Sequence, residues 1–451
     1  MIPPKPVPRP EKVSLLHYLR LFRRDILSAQ PAKLYRAWMA EFRTPFFRSY
    51  LCNDPDLVDL VLKVRPDDFP KSNRVREGLA PLLGQSVFLT NGEIWRRQRR
   101  IIDPAFEGGR IKEAFPAMRA AALATRDRLL RHADEAVEME TEASHAAADV
   151  IFRILFSIPI ENEIAARVFA QFRRHQRSQP LLNLAAFLPL PGWFPRFHRR
   201  AARKTAKEIR GLITRLVEDR MQDIRAGTAP TDLATKIMTT ADPTTGSTFT
   251  AGEMVDQVAI FFLAGHETSA SALAWALYLL AADPEAQEKV ADEVRSIGDN
   301  IDFSDISRLE FTRNVFREAL RLYPPVPMMV RENMNPESFR GRDLRSGSQI
   351  VISPWHIHRH ERIWDDPDAF DPDRWRSSQT KQSMRKGYLP FSAGSRVCPG
   401  AGIAMIEGVL FLALLVRDLR FALIDGQETM PVAHLTVRSK DGIRLLVQSR
   451  G

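Results

Sequence analysis

The chain has 451 residues, and its lysines and arginines outnumber its aspartates and glutamates by 65 to 55, a formal net charge of +10. Only two cysteines occur, Cys52 and Cys398, so a disulfide framework is excluded and a reducing compartment such as the cytoplasm is expected. No uninterrupted apolar run reaches the roughly 18 residues of a transmembrane helix, and we expect no transmembrane anchor. The arginine clusters come without a zinc-finger spacing or an RNA-binding motif, which argues against a nucleic-acid partner.

The proline-rich start of the chain, residues 1–30, lacks the apolar core of a signal peptide. A chain of this length could hold two or three domains, but no Gly/Ser-rich linker or repeat divides the rest of it. We therefore expect a single domain over residues 31–451, preceded by the proline-rich segment, in a protein that is a monomer.

Helical patterns dominate the sequence. Asp54-Pro55 and Asp283-Pro284 each place an acidic N-cap before a proline at the first helical position. The predicted helices cover residues 55–63, 93–103, 110–132, 164–174, 199–225, 251–281, 285–296, 312–322 and 401–415.

The predicted strands are short and scattered, at residues 46–51, 326–331, 349–353, 419–424 and 443–447. They are too few for a doubly wound sheet, and no Gly-x-Gly-x-x-Gly follows a strand, so a dinucleotide-binding fold is excluded. The sequence predicts a mainly α fold with small peripheral β-sheets.

The most informative segment, Phe-Ser-Ala-Gly-Ser-Arg-Val-Cys-Pro-Gly, runs from Phe391 to Gly400 and leads into an apolar helix. Cys398 therefore precedes a helix N-terminus, where free amides and the helix dipole favour an anion and hence the metal-binding thiolate. Gly394 and Gly400 permit tight turns and a close approach to a flat ligand, and Phe391 can pack against the sulfur. Taken alone, a cysteine before an apolar helix is more often a buried structural residue.

The spacing of this segment changes that interpretation. Five residues match the Phe-x-x-Gly-x-Arg-x-Cys-x-Gly loop of the haem-thiolate monooxygenases, the cytochromes P-450: Phe391, Gly394, Arg396, Cys398 and Gly400. The resemblance covers nearly the whole chain, from about residue 35 to residue 446. It implies the cytochrome P-450 fold around a buried haem b, with Cys398 as the ligand of the iron.

A second motif supports the same resemblance. Glu318 and Arg321 lie three residues apart on a predicted helix, and such a pair is usually a surface contact of little value. In this family, however, Glu-x-x-Arg meets a third residue from a loop before the cysteine, and Phe370-Asp-Pro-Asp-Arg-Trp375 resembles that loop. The resemblance therefore implies a structural triad of Glu318, Arg321 and Arg374 beneath the haem, whose loss should impair haem incorporation.

The two haem propionates are anions and need hydrogen-bond donors. The resemblance points to Trp95 and Arg99, which form a Trp-x-x-x-Arg pattern on one helical face, and to Arg331 and Arg396. A guanidinium suits a carboxylate, and an indole N–H donates one hydrogen bond. Trp95 could instead be an ordinary core aromatic.

The segment Ala264-Gly-His-Glu-Thr268 lies inside the longest apolar helix. Gly265 costs that helix about 1 kcal/mol relative to alanine, and Thr268 can bond back to the Ala264 carbonyl. Together they could open a groove for dioxygen. In the family's pattern Glu267 and Thr268 form an acid–alcohol pair, in which the threonine holds dioxygen and a water while the acid helps to deliver protons. The alternative is a polar ridge on a core helix.

Two histidine patterns could suggest a different metal. His266-Glu267 would begin a His-Glu-x-x-His zinc motif, but residue 270 is alanine. His356, His358 and His360 alternate as ligands on a strand do. No carboxylate or cysteine is arranged with them, so we do not expect a metal there.

The expected activity is insertion of one oxygen atom of dioxygen into a small lipophilic substrate. Electrons would come from NAD(P)H through an external partner, because no flavin or iron–sulfur motif is present. We expect an acidic ferredoxin or flavodoxin-type donor to dock on a basic face near Arg96, Arg97 and Arg100. Two rival functions are a peroxygenase, against which the acid–threonine pair argues, and a haem sensor or carrier, for which no output domain is present.

Four segments are expected to set substrate specificity: residues 72–88, 181–197, 328–329 and 431–437. The second is apolar enough to line an access channel, and equally to contact a membrane or a protein partner.

Overall fold

A computed structural model describes residues 1–43, 48–178, 200–433 and 435–450 of the chain. Helices make up most of the described residues, which confirms the predicted mainly α architecture. The helices are α1 (Leu15–Arg24), α2 (Pro55–Asp59), α3 (Asn73–Leu83), α4 (Gly92–Ile102), α5 (Arg110–Leu130), α6 (Met139–Phe156), α7 (Glu163–Ser178), α8 (Arg200–Ala226), α9 (Leu233–Thr239), α10 (Ala251–Ala282), α11 (Pro284–Arg295), α12 (Glu310–Leu322), α13 (Pro354–Ile357), α14 (Ser378–Gly387) and α15 (Ala401–Asp418). Within these ranges, no helix is long and apolar enough to cross a membrane.

The described strands form four small sheets, and only one pairing in them, β2 with β7, is parallel. The strands are β1 (Met39–Arg43), β2 (Arg48–Cys52), β3 (Glu135–Glu138), β4 (Met329–Glu332), β5 (Glu337–Phe339), β6 (Arg342–Leu344), β7 (Gln349–Ile352), β8 (Leu419–Leu423), β9 (Pro431–Ala433), β10 (Val437–Ser439) and β11 (Arg444–Ser449). The sheet orders are β1-β2-β7-β4, β3-β11-β8, β9-β10 and β5-β6.

The core is built around α10, a 32-residue helix that is buried over most of its length. It begins at a capping box, in which Thr250 Oγ1 accepts from the Glu253 amide and the Glu253 carboxylate accepts from the Thr250 amide. Helices α6, α8, α12 and α15 pack against it. Trp275 of α10 stacks on Tyr323 at the end of α12, with 3.9 Å between ring centroids.

A glycine sets how closely α6 approaches α10. A Cβ on Gly265 would lie 2.8 Å from Cδ1 of Ile151 on α6, nearer than real Cβ contacts occur. The missing side chain therefore faces a neighbouring helix and allows tight packing. This packing supplies a reason for a residue that lowers helix propensity.

The predicted boundaries hold within a few residues except at one strand. The strand predicted from residue 326 begins only at Met329. The prolines before it have no N–H to donate to a sheet. Their carbonyls bond elsewhere, since Pro325 O accepts from Val437 N and Pro327 O accepts from Trp355 N. Residues 46–47 of another predicted strand lie outside the described residues. So do residue 199 of a predicted helix, the whole segment 181–197, and residue 434 of the segment 431–437.

The proline-rich start of the chain lies against the domain. Phe370 N donates to Met1 O at 2.8 Å, and Tyr323 Oη donates to Pro4 O at 2.8 Å. Arg9 Nε donates to Ala29 O at 2.7 Å. These bonds hold residues 1–9 along the protein surface.

Candidate functional site

Cys398 lies in a loop whose backbone is closed by hydrogen bonds. Its amide donates to Phe391 O at 2.9 Å, and its carbonyl accepts from Ala401 N where α15 begins. Burial raises the pKa of the thiol, and the Gly400 amide and the positive charge of Arg99 offset only part of that effect. The side chain is nevertheless exposed. The sulfur is therefore surrounded by protein but remains accessible, and a bound metal ion would favour its thiolate form.

Gly394 has a positive φ of +67°, and a Cβ there would lie 1.9 Å from the carbonyl oxygen of Leu62. The loop thus packs on the π-helical turn Leu60–Val64 that follows α2. The close approach predicted for this glycine is made to protein backbone. At Gly400 a Cβ would make ordinary contacts, 3.9 Å from the Cys398 sulfur.

The middle of α10 is connected to the cysteine loop through Phe106. Ala264 is exposed although most of α10 is buried, and Thr268 Oγ1 donates to the Ala264 carbonyl at 2.5 Å. Phe106 connects the two elements, because its ring lies 5.8 Å from that of Phe261 on α10 and within about 4 Å of where a Cβ on Gly400 would sit. Phe106 thus links the part of α10 that carries the small Ala264 and the hydroxyl of Thr268 to the loop that carries the exposed thiol.

Glu267 is buried and is held by groups from other elements. It accepts hydrogen bonds from Gln176 of α7 and, at 3.5 Å, from Thr436 Oγ1, and Arg438 Nη2 of β10 lies 3.7 Å away. Burial raises its pKa, and Arg438 offsets part of that effect. In this arrangement the carboxyl group is held toward α7 and β10.

A second buried carboxyl group lies near the site, and the sequence analysis did not identify it. Glu407 of α15 accepts a hydrogen bond from Ser269 Oγ of α10 at 3.1 Å. Burial raises its pKa to about 8. It is therefore largely protonated at neutral pH and ties α15 to α10.

Cations collect beside the cysteine loop. Lys71 and Arg331 form an isolated antiparallel bridge through their backbones, and Asn91 Oδ1 accepts both from Lys71 N at 3.0 Å and from Arg396 Nη2 at 2.9 Å. The Arg396 guanidinium lies 3.8 Å from the centroid of the Trp95 ring, which is itself buried. Within the described residues none of the three cations has a carboxylate at ion-pair distance.

The pKa of each of these three cations is lower than its ordinary value, mainly because of burial. Burial, and then repulsion from Arg331, Arg396 and Arg99, hold the pKa of Lys71 well below its ordinary value. Burial lowers the pKa of Arg331 to about 10 and that of Arg396 to about 9. Arg331 is buried and Lys71 and Arg396 are half-buried, and like charges in such surroundings are costly unless an anion joins them, so the cluster fits an anionic ligand.

Arg99 differs from the other predicted arginines because it already has a carboxylate partner. Its Nε lies 2.7 Å from the Asp103 carboxylate, and its Nη1 donates to Val397 O at 2.8 Å. Lys71 was not identified from the sequence. Its positive charge lowers the pKa of Cys398, and the charges of three arginines lower the pKa of Lys71 itself.

These groups fit a haem. The thiol of Cys398 is accessible, the exposed part of α10 carries the small Ala264, and a cation cluster without carboxylate partners is available for two propionates.

The residues of the predicted triad meet in the core. Glu318 and Arg321 are fully buried, with Arg321 Nη2 and Nε at 2.8 and 2.9 Å from the two carboxylate oxygens. Arg374 Nε donates to Glu318 Oε1 at 2.9 Å, and Trp375 Nε1 donates to Oε2 at 3.1 Å. Arg321 also donates to the carbonyls of residues 358, 367 and 369, and Arg374 to those of 365, 366 and 369. The triad thereby fixes the segment that precedes α14.

The three alternating histidines have separate partners. His356 Nδ1 is 2.8 Å from Ser353 Oγ, and His358 Nε2 accepts from Leu389 N at 2.8 Å. His360 stacks on Trp38. They lie on α13 and the turn after it, and each side chain serves the packing of the core.

The arginines predicted to form a docking face are engaged in internal contacts. Arg96 pairs with Asp67 at 2.8 Å, Arg97 with Glu253 at 2.7 Å, and Arg100 with both Asp242 and Glu93. These ion pairs neutralise much of the positive charge of α4 and tie it to the loop before α10.

Comparison with known proteins agrees with this site. The family model described as Cytochrome P450 matches residues 4–447. Cyclooctat-9-en-7-ol 5-monooxygenase of Streptomyces melanosporofaciens is 33% identical over 428 residues, covering 92% of this chain and 90% of that protein. Cytochrome P450 4X1 of Homo sapiens is 28% identical over 447 residues, covering 93% of this chain and 85% of that protein.

The fold agrees with a solved structure as well. The crystal structure of the cytochrome P450DA heme domain superposes with a TM-score of 0.83 at 23% sequence identity, covering 100% of this chain and 99% of that one. The chain belongs to the cytochrome P450 family. It is a haem-dependent monooxygenase with the fold of that family.

Proposed function

We propose that this monooxygenase hydroxylates a lipophilic small molecule in the cytoplasm, with electrons delivered from NAD(P)H by an acidic ferredoxin or flavodoxin-type protein. The observation that carries the proposal is that Cys398 and Ala264 of α10 are both exposed, on two elements that Phe106 connects. When bound there, the haem supplies activation of dioxygen. We further propose one domain over residues 31–451 that works as a monomer.

In this proposal each group of residues near the site has a separate role. Cys398 binds the iron, and Lys71, Arg331 and Arg396 bind the propionates with Arg99 and Trp95 beside them. This division is supported by the three cations that lack carboxylate partners. The triad of Glu318, Arg321 and Arg374 keeps the segment before the cysteine in place.

On the opposite side, Thr268 would orient dioxygen and a water, while Ala264 leaves room for them and Gly265 lets α6 support the helix. Glu267 would supply protons. Its raised pKa and its contact with the partly exposed Arg438 support this role, because they connect a protonatable group of α10 to a side chain that reaches solvent.

Apolar side chains near α10 support a lipophilic substrate. Val326 is 38% exposed and Leu435 is 44% exposed. The bonds from Val437 N to Pro325 O and from Thr436 Oγ1 to Glu267 hold both residues near the middle of α10. The relative named as a monooxygenase of cyclooctat-9-en-7-ol supports an alcohol or a related ring compound as a first candidate.

The surface for the electron donor is assigned to α14. Its three cations, Lys381, Arg385 and Lys386, are exposed and lack a carboxylate partner among the described residues, whereas the arginines of α4 are paired internally. Helix α14 ends at Gly387, eleven residues before Cys398 (398 − 387 = 11). Free positive charge close in sequence to the cysteine loop suits an acidic partner.

Charge reversal tests the docking proposal. Lys381→Glu with Arg385→Glu and Lys386→Glu should slow reduction by an acidic ferredoxin at least about tenfold at low salt, with substrate-induced spectral shifts unchanged. The matched control is the equally charged triple Arg20→Glu, Arg23→Glu and Arg24→Glu on α1. Equal reduction rates for the two variants would contradict the assignment.

Labelled dioxygen tests the function itself. Purified protein, NADH, a ferredoxin with its reductase and a panel of lipophilic alcohols should give product that carries one oxygen atom from O2. Incorporation of oxygen from peroxide without an electron donor would instead indicate a peroxygenase. Haem binding without any product across the panel would favour the sensor or carrier.

A further inference from the structure

The most exposed large apolar side chains of the described chain all fall in its first 16 residues. Leu16 is 81% exposed, Val7 is 80% exposed and Ile2 is 77% exposed. Single exposed apolar residues are ordinary on a protein surface, but a group of them in one segment marks a contact with something else.

Leu16 shares helix α1 with three arginines. Arg20, Arg23 and Arg24 are all exposed, and Leu16, Arg20 and Arg23 follow the i, i+4, i+7 spacing of one helical face. Helix α1 contains no acidic residue, and no described carboxylate lies at ion-pair distance from the three arginines. Their charge is therefore available to an external anion.

The rest of the structure holds this helix on the surface. Just after α1, the Asp25 carboxylate accepts from Ala433 N of β9 at 2.8 Å and from Leu27 N at 3.0 Å. The Arg9 guanidinium lies 5.7 Å from the centroid of the Tyr18 ring, so the segment that carries Val7 runs beside α1. Helix α1 and the segment that carries Val7 are thus anchored next to each other on the domain.

We propose that α1 and the segment before it dock this protein onto an anionic lipid bilayer. The arginines would attract acidic headgroups, and Leu16 and Val7 would enter the apolar boundary beneath them. A polyanion or an acidic protein would use the arginines but has no need for protruding apolar side chains, which is why a bilayer is the better fit. The proposal goes beyond the monooxygenase function and does not depend on it, because binding needs neither haem turnover nor substrate.

Vesicle sedimentation with the full-length haem protein tests the proposal. The wild-type protein should bind vesicles of phosphatidylcholine and phosphatidylglycerol in equal parts but not pure phosphatidylcholine. Each arginine near an anionic surface contributes about fivefold to partitioning, so the triple Arg20→Glu, Arg23→Glu and Arg24→Glu should weaken binding by about 100-fold or more. Leu16→Ser should weaken it by about tenfold, and because that side chain is exposed the melting temperature should not change.

The control triple on α14, Lys381→Glu with Arg385→Glu and Lys386→Glu, changes the net charge equally and should retain binding. Equal loss in both triples would mean that net charge alone drives adsorption, and the proposal would be wrong. Absence of wild-type binding to the anionic vesicles would overturn it, as would binding to heparin in place of vesicles. A normal spectrum of the carbon monoxide complex in every variant would show that the haem site is intact, so failure here is separate from failure of the proposed function.

Discussion

Replacing Glu318 by glutamine removes the carboxylate that two buried arginines share. Arg321 is fully buried and the Arg374 side chain is 7% exposed, so neither guanidinium can regain water without rearrangement. A buried charge left without its partner costs about 3 to 5 kcal/mol. The total stability of a domain is about 5 to 15 kcal/mol, so this single change should remove a large part of it.

The assay is urea unfolding of the haem protein, followed by far-ultraviolet circular dichroism and by loss of the Soret band. We expect Glu318→Gln to lower the unfolding free energy by about 3 to 5 kcal/mol and to lower the haem content of the purified protein. The fall in haem content is expected because the triad holds the carbonyls of the segment before the cysteine loop.

A matched control separates the effect of burial on stability from the effect of the i,i+3 spacing. Arg295 and Asp292 form an ion pair with the same i,i+3 spacing at 2.7 Å, but their side chains are 49% and 73% exposed. Asp292→Asn should therefore cost less than about 1 kcal/mol. Equal losses for the two variants would refute the argument that burial makes the triad important.

Three further predictions rest on single contacts. Burial raises the pKa of Glu407 from 4.5 to about 8, so between those values its folded form holds a proton that the unfolded chain releases, and its contribution to stability falls as the pH rises. Glu407→Gln should therefore make the fall of stability with pH shallower in unfolding titrations, and an unchanged slope would contradict the assignment. Gly394→Ala should lower the melting temperature far more than Gly426→Ala. Both positions have a positive φ, but only at Gly394 would the new Cβ collide with Leu62 O. Equal shifts of the melting temperature would mean that the loss of stability comes from φ alone. Arg331→Met should speed haem transfer to apomyoglobin because it removes a cation from the unpaired cluster, and an unaltered transfer rate would exclude this arginine as a propionate ligand.

The parts of the site that the sequence could predict are those set by local spacing. The cysteine loop and the Glu-x-x-Arg pair lie within short segments, and a match at several fixed positions identifies them. The third member of the triad, Arg374, is also predictable because the loop around it has a recognisable pattern. Glu318 is paired with both Arg321 and Arg374, so the three residues meet.

Contacts between distant segments could not be predicted. Lys71 joins the cation cluster through a backbone bridge to Arg331, 260 residues later (331 − 71 = 260), and no local pattern marks it. The arginines of α4 look like a free basic face in the sequence, but their partners Asp242 and Glu253 lie far along the chain. Spacing alone cannot distinguish a free charge from a paired one.

Helix α6 was missed for a different reason. It packs against α5, α9 and α10, so its buried residues occur on more than one face and the apolar periodicity of a surface helix is lost. The packing of α6 on α10 also explains why residue 265 is a glycine. The sequence reveals a glycine in a helix, but only the fold shows that the absent side chain faces Ile151.

The most direct test of the account is the absorption spectrum of the dithionite-reduced protein under carbon monoxide, compared for the wild type, Cys398→Ser and Cys52→Ser. Cys52 is the matched control because it is the other cysteine and lies fully buried in β2. Thiolate ligation by Cys398 predicts a strongly red-shifted Soret band in the wild type and in Cys52→Ser, and its loss in Cys398→Ser. A red-shifted band that survives in Cys398→Ser, or one that is absent from the folded wild-type protein with haem bound, would contradict it.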